Sequence, residues 1–173
     1  EETQRRGPEE FGPVALEVDG LSRTGIFEDV ALRLHAGEIV ALAGLVGAGR
    51  SEIARAIFAA DPSDGGRVAV AGHPTHFRSP RDAIKSGIAM LPESRKDQGL
   101  VMGASVADNM TLAVLKRFSR FGVSRRRAER DAARIMAERV AIRGGSLSGA
   151  VSLLSGGNQQ KALFGKWLMA EPR

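Results

Sequence analysis

Gly44-Leu45-Val46-Gly47-Ala48-Gly49-Arg50-Ser51 is the stretch from which the rest of the chain is read. Its spacing fits G-x-x-x-x-G-K-[ST], with arginine at the lysine position. In such a loop the glycines let successive N–H groups face the α- and β-phosphates, the basic side chain reaches the β/γ oxygens, and the hydroxyl of Ser51 is placed to ligate Mg²⁺. Arginine keeps the charge, but its planar fork is larger than an ammonium and cannot occupy the same point, so binding is expected to survive better than hydrolysis.

The flanks supply the mechanical setting of that loop. Ile39-Val40-Ala41-Leu42-Ala43 is continuously apolar and predicts a strand buried on both faces. After the loop, Ile53, Ala54, Ala56, Ile57 and Phe58 recur at helical spacing until Asp61-Pro62 ends the run. The order is therefore strand, glycine loop, helix. Further out, Val14, Leu16 and Val18 alternate, as do Val30, Leu32 and Leu34, which predicts two peripheral antiparallel strands separated by the Asp19-Gly20 turn and a short loop. Val68-Ala69-Val70 predicts another strand, Ser79-Pro80 a short helix closed by Gly87, and Ile88 to Leu91 a further buried strand.

From Ser105 the pattern turns helical. Ser105 with Asp108 resembles a capping box, and Ala128, Ala132, Ile135, Met136 and Val140 are predicted to line one helix face, which Gly144-Gly145 stops. The last helix is predicted to bury Ala162, Leu163, Phe164, Trp167 and Leu168. Glu1 to Pro13, rich in charge, Gly and Pro, reads as a linker or tail. The chain thus reads as α/β, with a helical lobe in its middle.

Composition narrows the chemistry. With 173 residues there is material for one sizeable core. Zero cysteines exclude disulfides and thiolate catalysis, and His35, His73 and His76 lack metal-like spacing. No apolar run approaches the ~20 residues that span a bilayer, and Glu1 to Gly12 carries no signal-like apolar stretch, so a cytoplasmic protein is expected. A net charge of +5 suits acidic partners without choosing among them.

A second motif makes that choice. Leu154-Ser155-Gly156-Gly157-Asn158-Gln159-Gln160-Lys161 opens the last helix, where two glycines leave backbone N–H groups unobstructed at the positive helix end. This octapeptide resembles the signature sequence of ATP-binding cassette (ABC) ATPases. Together with GLVGAGRSE from Gly44 to Glu52, it is similar to the C-terminal cassette of sugar import ATP-binding proteins of the ribose, galactose and xylose type. The resemblance covers Val14 to Arg173. It implies a P-loop NTPase core with an antiparallel β subdomain and a helical subdomain. Residues 14–91 would be the β subdomain and core, 92–153 the loop after the buried strand plus the helical lobe, and 154–173 the signature and its helix.

The resemblance assigns roles by position. Gly44, Leu45, Val46, Gly47, Ala48, Gly49, Arg50, Ser51 and Glu52 would bind this cassette's own nucleotide, with Ser51 on Mg²⁺. Leu154, Ser155, Gly156, Gly157, Asn158 and Gln159 would meet the γ-phosphate of ATP held by an opposing, N-terminal cassette. Glu93 stands where cassettes usually carry a glutamine that senses Mg²⁺, water and the permease, and an adenine-stacking aromatic would lie near Phe27. The implied function is the ATP-driven motor of a monosaccharide importer, at the inner face of the membrane beside its permease subunits and, indirectly, a periplasmic sugar-binding protein. Its own loop, carrying Arg50, would form a degenerate site.

Family members continue past Ala170-Glu171-Pro172-Arg173 into a strand bearing the catalytic carboxylates. The reading is therefore of a C-terminally incomplete cassette that does not turn over ATP alone. Two alternatives stay open: a non-catalytic regulatory ATP-binding module, and a nucleic-acid-associated ABC ATPase suggested by the arginines between Arg117 and Arg139. Interleaved Glu129, Asp131 and Glu138, without an aromatic platform, favour a solvated helix face over nucleic acid.

Overall fold

The computed structural model of the chain describes residues 11–120 and 123–173, so most of the expected linker at Glu1–Pro13 lies outside the described residues. The chain divides into two units, Glu1–Ile88 with Arg173, and Ala89–Pro172.

The first unit is built on an antiparallel sheet of β1 (Val14–Arg23), β2 (Phe27–His35), β3 (Gly65–Val70) and β4 (His73–Thr75), in the order β2-β1-β3-β4. Alternation sets its register: Val18 pairs with Leu32 on one side and with Val68 on the other. The helix α1 (Arg50–Ile57) belongs to the same core, where Val18, Leu21 and Val68 are buried together with Ile53, Ala56 and Ile57. Each of the valine, leucine and isoleucine side chains contributes about 1.5–3 kcal/mol on full burial. A short helix, α2 (Pro80–Lys85), follows Ser79 as predicted.

One close approach governs the sheet. The β1–β3 register shifts between Asp19 and Ser22, and there Gly66 adopts φ 90° while a Cβ on it would lie 2.4 Å from the Leu21 Cα. Only glycine permits both the left-handed backbone and the contact.

Beyond the end of α1, Asp61 accepts hydrogen bonds from Arg55 Nε (3.0 Å) and Nη2 (2.6 Å) and from Arg23 Nη1 (2.9 Å), tying the helix to β1. The hydrogen bond from Arg55, more than any other contact, holds the Asp61 carboxyl below the ordinary aspartate range.

The predicted strands at 39–43 and 88–91 do not form. A strand buried on both faces exists only within a ladder, and among the described residues neither segment has a strand partner. Ile39 is accordingly 96% exposed.

The second unit is helical: α3 (Val106–Thr111), a 3-10 segment (Leu112–Phe118), a two-residue hairpin of β5 (Ser119–Arg120) and β6 (Val123–Ser124), α4 (Arg126–Arg139) and α5 (Gly156–Leu168). Ser105 caps α3 by accepting from the Asp108 N–H at 3.0 Å, as its sequence predicts. Met110 is fully buried at the centre, and a Cβ at Gly165 would lie 2.4 Å from its Cε. The fully buried Asn109 spends its amide on the 101–105 loop, accepting from Val101 N and donating to the carbonyls of Val101 and Ser105.

Two predicted faces are corrected. On α4 the buried positions are Glu129, Ala133, Met136 and Ala137, rotated about one residue from the expected stripe, which leaves Ile135 59% exposed. Burial of Glu129 is compatible with this rotation because it accepts from Thr111 Oγ1 at 2.8 Å. On α5 Ala162 and Leu163 are buried as expected, but Phe164 is exposed, because the inward position belongs to Gly165 against Met110.

Two outcomes are expected. Gly66→Ala lowers the unfolding free energy of the first unit by about 2–4 kcal/mol in urea titration. For Asp61, a folded pKa below the unfolded value means that its stabilisation is complete above the unfolded aspartate pKa of ~3.9 and is lost as pH falls through the folded value. Wild-type stability therefore drops more steeply than that of Asp61→Asn in that acid window, and parallel acid profiles would refute the linkage.

Candidate functional site

The glycine loop occupies 44–49 and opens α1, with Gly49 at the N-cap in the left-handed region (φ 74°). A Cβ there would lie 3.1 Å from the Ile26 carbonyl, so glycine lets the loop close against the approach to β2. That places the loop beside Phe27, whose Cβ is 3.8 Å from the same point. Phe27 itself is half-buried and packs on the edge of the sheet core.

The loop is otherwise open to solvent: Val46 is 100% exposed, and Ser51 is exposed on the first turn of α1. First-turn N–H groups of a helix have no intrahelical acceptor, and the macrodipole adds partial positive charge. The Leu45 carbonyl accepts from the Ala48 N–H at 3.1 Å and from Arg50 Nη2 at 3.3 Å. Arg50 therefore lies folded over its own loop, and releasing one long, exposed hydrogen bond frees it toward an anion. Loop, helix start, arginine and hydroxyl together have the donors that a polyphosphate with Mg²⁺ would require. Among the described residues, no group of three or more histidine, cysteine or carboxylate side chains is arranged to hold a metal by itself.

In the second unit, α5 begins at Gly156 with Ser155 at its N-cap. Ser155, Gly156 and Gly157 are exposed, and the Ser155 hydroxyl accepts from the Asn158 N–H at a long 3.5 Å. Their neighbours face inward. Leu154 is buried; Asn158 donates through Nδ2 to the Arg143 carbonyl (2.7 Å) and accepts from the Arg143 N–H (3.3 Å). Gln159, 5% exposed, donates to the Leu154 carbonyl at 3.0 Å and accepts from Arg95 Nε at 3.1 Å. The six predicted signature positions thus divide into three that are open and three that hold the turn in place.

Glu93 is exposed and lines, with Gly157, Leu91, Pro92, Arg95 and Phe164, a groove of about 800 Å³ within the second unit. Arg95, two residues after Glu93, lines the same groove, and the sequence pattern around Glu93 does not reveal its link to Gln159. Its place directly after the candidate loop is the available signal for the residue itself.

Comparison with known proteins gives the family. The ABC transporter family model matches residues 27–173, and the chain belongs to that family. It is 50% identical over 167 residues to a ribose import ATP-binding protein of Rubrobacter xylanophilus, covering 96% of this chain and 32% of that one. It is 52% identical over 156 residues to a putative ribose/galactose/methyl galactoside import ATP-binding protein of Burkholderia cenocepacia, covering 90% and 30%. The chain therefore spans about a third of the length of these curated relatives.

Solved structures agree on the fold. A nucleotide-free ATP-binding cassette from an ABC transporter superposes with a TM-score of 0.72 at 17% identity, over 92% of this chain and 66% of that one. A dimeric cassette bound to ADP and Pi superposes with a TM-score of 0.68 at 19% identity, over 91% and 70%. Among the described residues no helix is long and apolar enough to cross a membrane.

If Asn158 serves to hold the 141–143 loop on α5, Asn158→Ala costs about 1–2 kcal/mol in the unfolding free energy of the second unit. An unchanged urea midpoint would show that the paired hydrogen bonds to Arg143 do not contribute.

Proposed function

We propose that this chain is part of the ATP-binding motor of an ABC importer for a monosaccharide, acting with Mg²⁺. The observation that carries the reading is the pairing of an open glycine loop at the start of α1 with an open Ser155-Gly156-Gly157 turn at the start of α5, in a chain half identical to a ribose import ATP-binding protein. Each is a helix N-terminus stripped of obstructing side chains, suited to a phosphate. In this reading Gly44 to Glu52 bind this cassette's own nucleotide. Ser155 to Gly157 complete a site on a second, N-terminal cassette, and ATP joins the two.

Arg50 makes the two sites unequal. An arginine folded onto the Leu45 carbonyl can hold phosphate oxygens through two N–H groups but does not reproduce a lysine's point charge. The site built on this loop is the degenerate one, and turnover concentrates where the intact signature is used. Glu93 faces Mg²⁺ or a basic group of the permease. The motor sits peripherally on the inner face of the membrane, against permease subunits fed by a periplasmic sugar-binding protein.

The test compares two variants in the assembled transporter. Arg50→Ala weakens nucleotide binding at this loop by about tenfold yet leaves most of the turnover. Gly157→Asp lowers turnover at least ~100-fold, because it puts a carboxylate where phosphate must approach. A Cβ at Gly157 meets nothing within 4 Å, so the loss does not come from steric misfolding. Equal losses of turnover in the two variants would overturn the asymmetry.

A further inference from the structure

The segment after Glu93 is strapped to the signature helix at both ends. Arg95–Gly99 forms a π-helical turn, capped by Ser94 accepting from the Asp97 N–H at 3.3 Å and closed by the Leu100 N–H on the Arg95 carbonyl at 2.8 Å. At its start, Arg95 Nε donates to Gln159 Oε1 at 3.1 Å, and its Nη2 lies 3.1 Å from where a Cβ on Gly156 would stand. At its end, Lys166 Nζ donates to the Gly99 carbonyl at 3.0 Å, and the Leu163 side chain lies 3.0 Å from a Cβ built on Gly99. Gly156, Gln159, Leu163 and Lys166 are spaced by three, four and three residues, so they form one face of α5. The turn is laid along that face from the first helical residue to the last turn.

The Arg95 end is built for geometry rather than charge. No carboxylate pairs with Arg95 among the described residues, and its guanidinium lies at the positive end of α5, where the macrodipole opposes a cation. What holds it is a neutral, buried amide that also grips the Leu154 carbonyl. Gly156 is the residue that leaves room for it.

We propose that Arg95 is a positioning residue that fastens the Glu93 loop to the first turn of α5. Displacement of that loop is then transmitted to Ser155-Gly156-Gly157 as movement of one body. The inference rests on the reading of these residues as a signature that meets another cassette's nucleotide, and it adds the link through which the permease-facing acid acts on them. Because the Gly99 end stays anchored by Leu163 and Lys166, loss of Arg95 frees one end of the strap without unseating the turn.

The experiment uses the full-length ATP-binding protein reconstituted with its permease. Arg95→Ala lowers kcat for ATP about tenfold while KM stays within about twofold, because the nucleotide is held by the phosphate loop and only its closure against the signature suffers. Arg95→Lys recovers little, since an ammonium cannot present Nε to Gln159 and also flank Gly156. In the Arg95→Ala protein the amides of Gln159 to Lys161, which bond the carbonyls of the first turn of α5, exchange with deuterium about five- to tenfold faster than in wild type, while those of α1 are unchanged. Unchanged exchange at 159–161, a rise in KM that matches the fall in kcat, or full activity of Arg95→Lys would each overturn the proposal. If the wild-type protein neither binds nor turns over ATP, the functional reading fails, and the exchange measurement still decides whether Arg95 fastens the turn.

Discussion

The buried amide of Gln159 is the interaction on which the open start of α5 depends. A helix whose first turn is exposed and free of bulky capping side chains is held from within. Gln159 does this one turn into α5, donating back to the Leu154 carbonyl and accepting from Arg95, while Asn158 fixes the neighbouring 143 loop through both halves of its amide. Fully satisfied buried amides specify a single arrangement, because any other leaves a polar group unpaired at a cost of about 1–3 kcal/mol. Ser155, Gly156 and Gly157 can therefore stay open without being loose.

The first unit meets the same requirement by other means. Its loop is also open, but it is held by backbone geometry: a left-handed Gly49 closed against the Ile26 carbonyl, and an α1 whose inner face shares a core with the sheet. The helix carries the loop, the sheet carries the helix, and Asp61 joins the end of one to β1 of the other. Both candidate sites are thus helix starts whose precision comes from the burial behind them, since exposed loop residues such as Val46 contribute no packing.

How much of this was legible in sequence depended on how local each determinant is. The β1 and β2 strands, α1 after its loop, the Ser105 cap and the start of α5 follow from alternation, capping and glycine spacing, and all are present. However, β1 runs through the expected Asp19-Gly20 turn to Arg23, because its pairing with β3 continues past it. The apolar content of 39–43 and 88–91 predicts strands, but it reports a tendency to be buried and not the partner that would satisfy it. The buried face of α4 was misplaced for the opposite reason. Glu129 reads as a surface residue until Thr111 supplies its partner from another helix. Arg95 was missed because a link between positions 95 and 159 leaves no periodic trace in either segment.

The arginines of the helical region show how the same distinction bears on function. Read in sequence, Arg117 to Arg139 is a dense positive run. In the structure Arg117 donates to the Met169 carbonyl at 3.0 Å and pairs with Glu171, Arg134 pairs with Glu138 four residues on, and Arg126 lies 3.6 Å from Asp108. Such exposed pairs contribute little stability, typically below ~1 kcal/mol, but each neutralises a charge that a nucleic-acid surface would need to present outward. No aromatic platform interleaves with them on α4 for bases to stack on. The starts of α1 and α5 each offer an anion aligned N–H groups, joined at α1 by an arginine folded onto its own loop. That geometry suits a compact phosphate approached end-on and not an extended polyanion lying across a surface, and so it favours the nucleotide reading on physical grounds independent of overall charge.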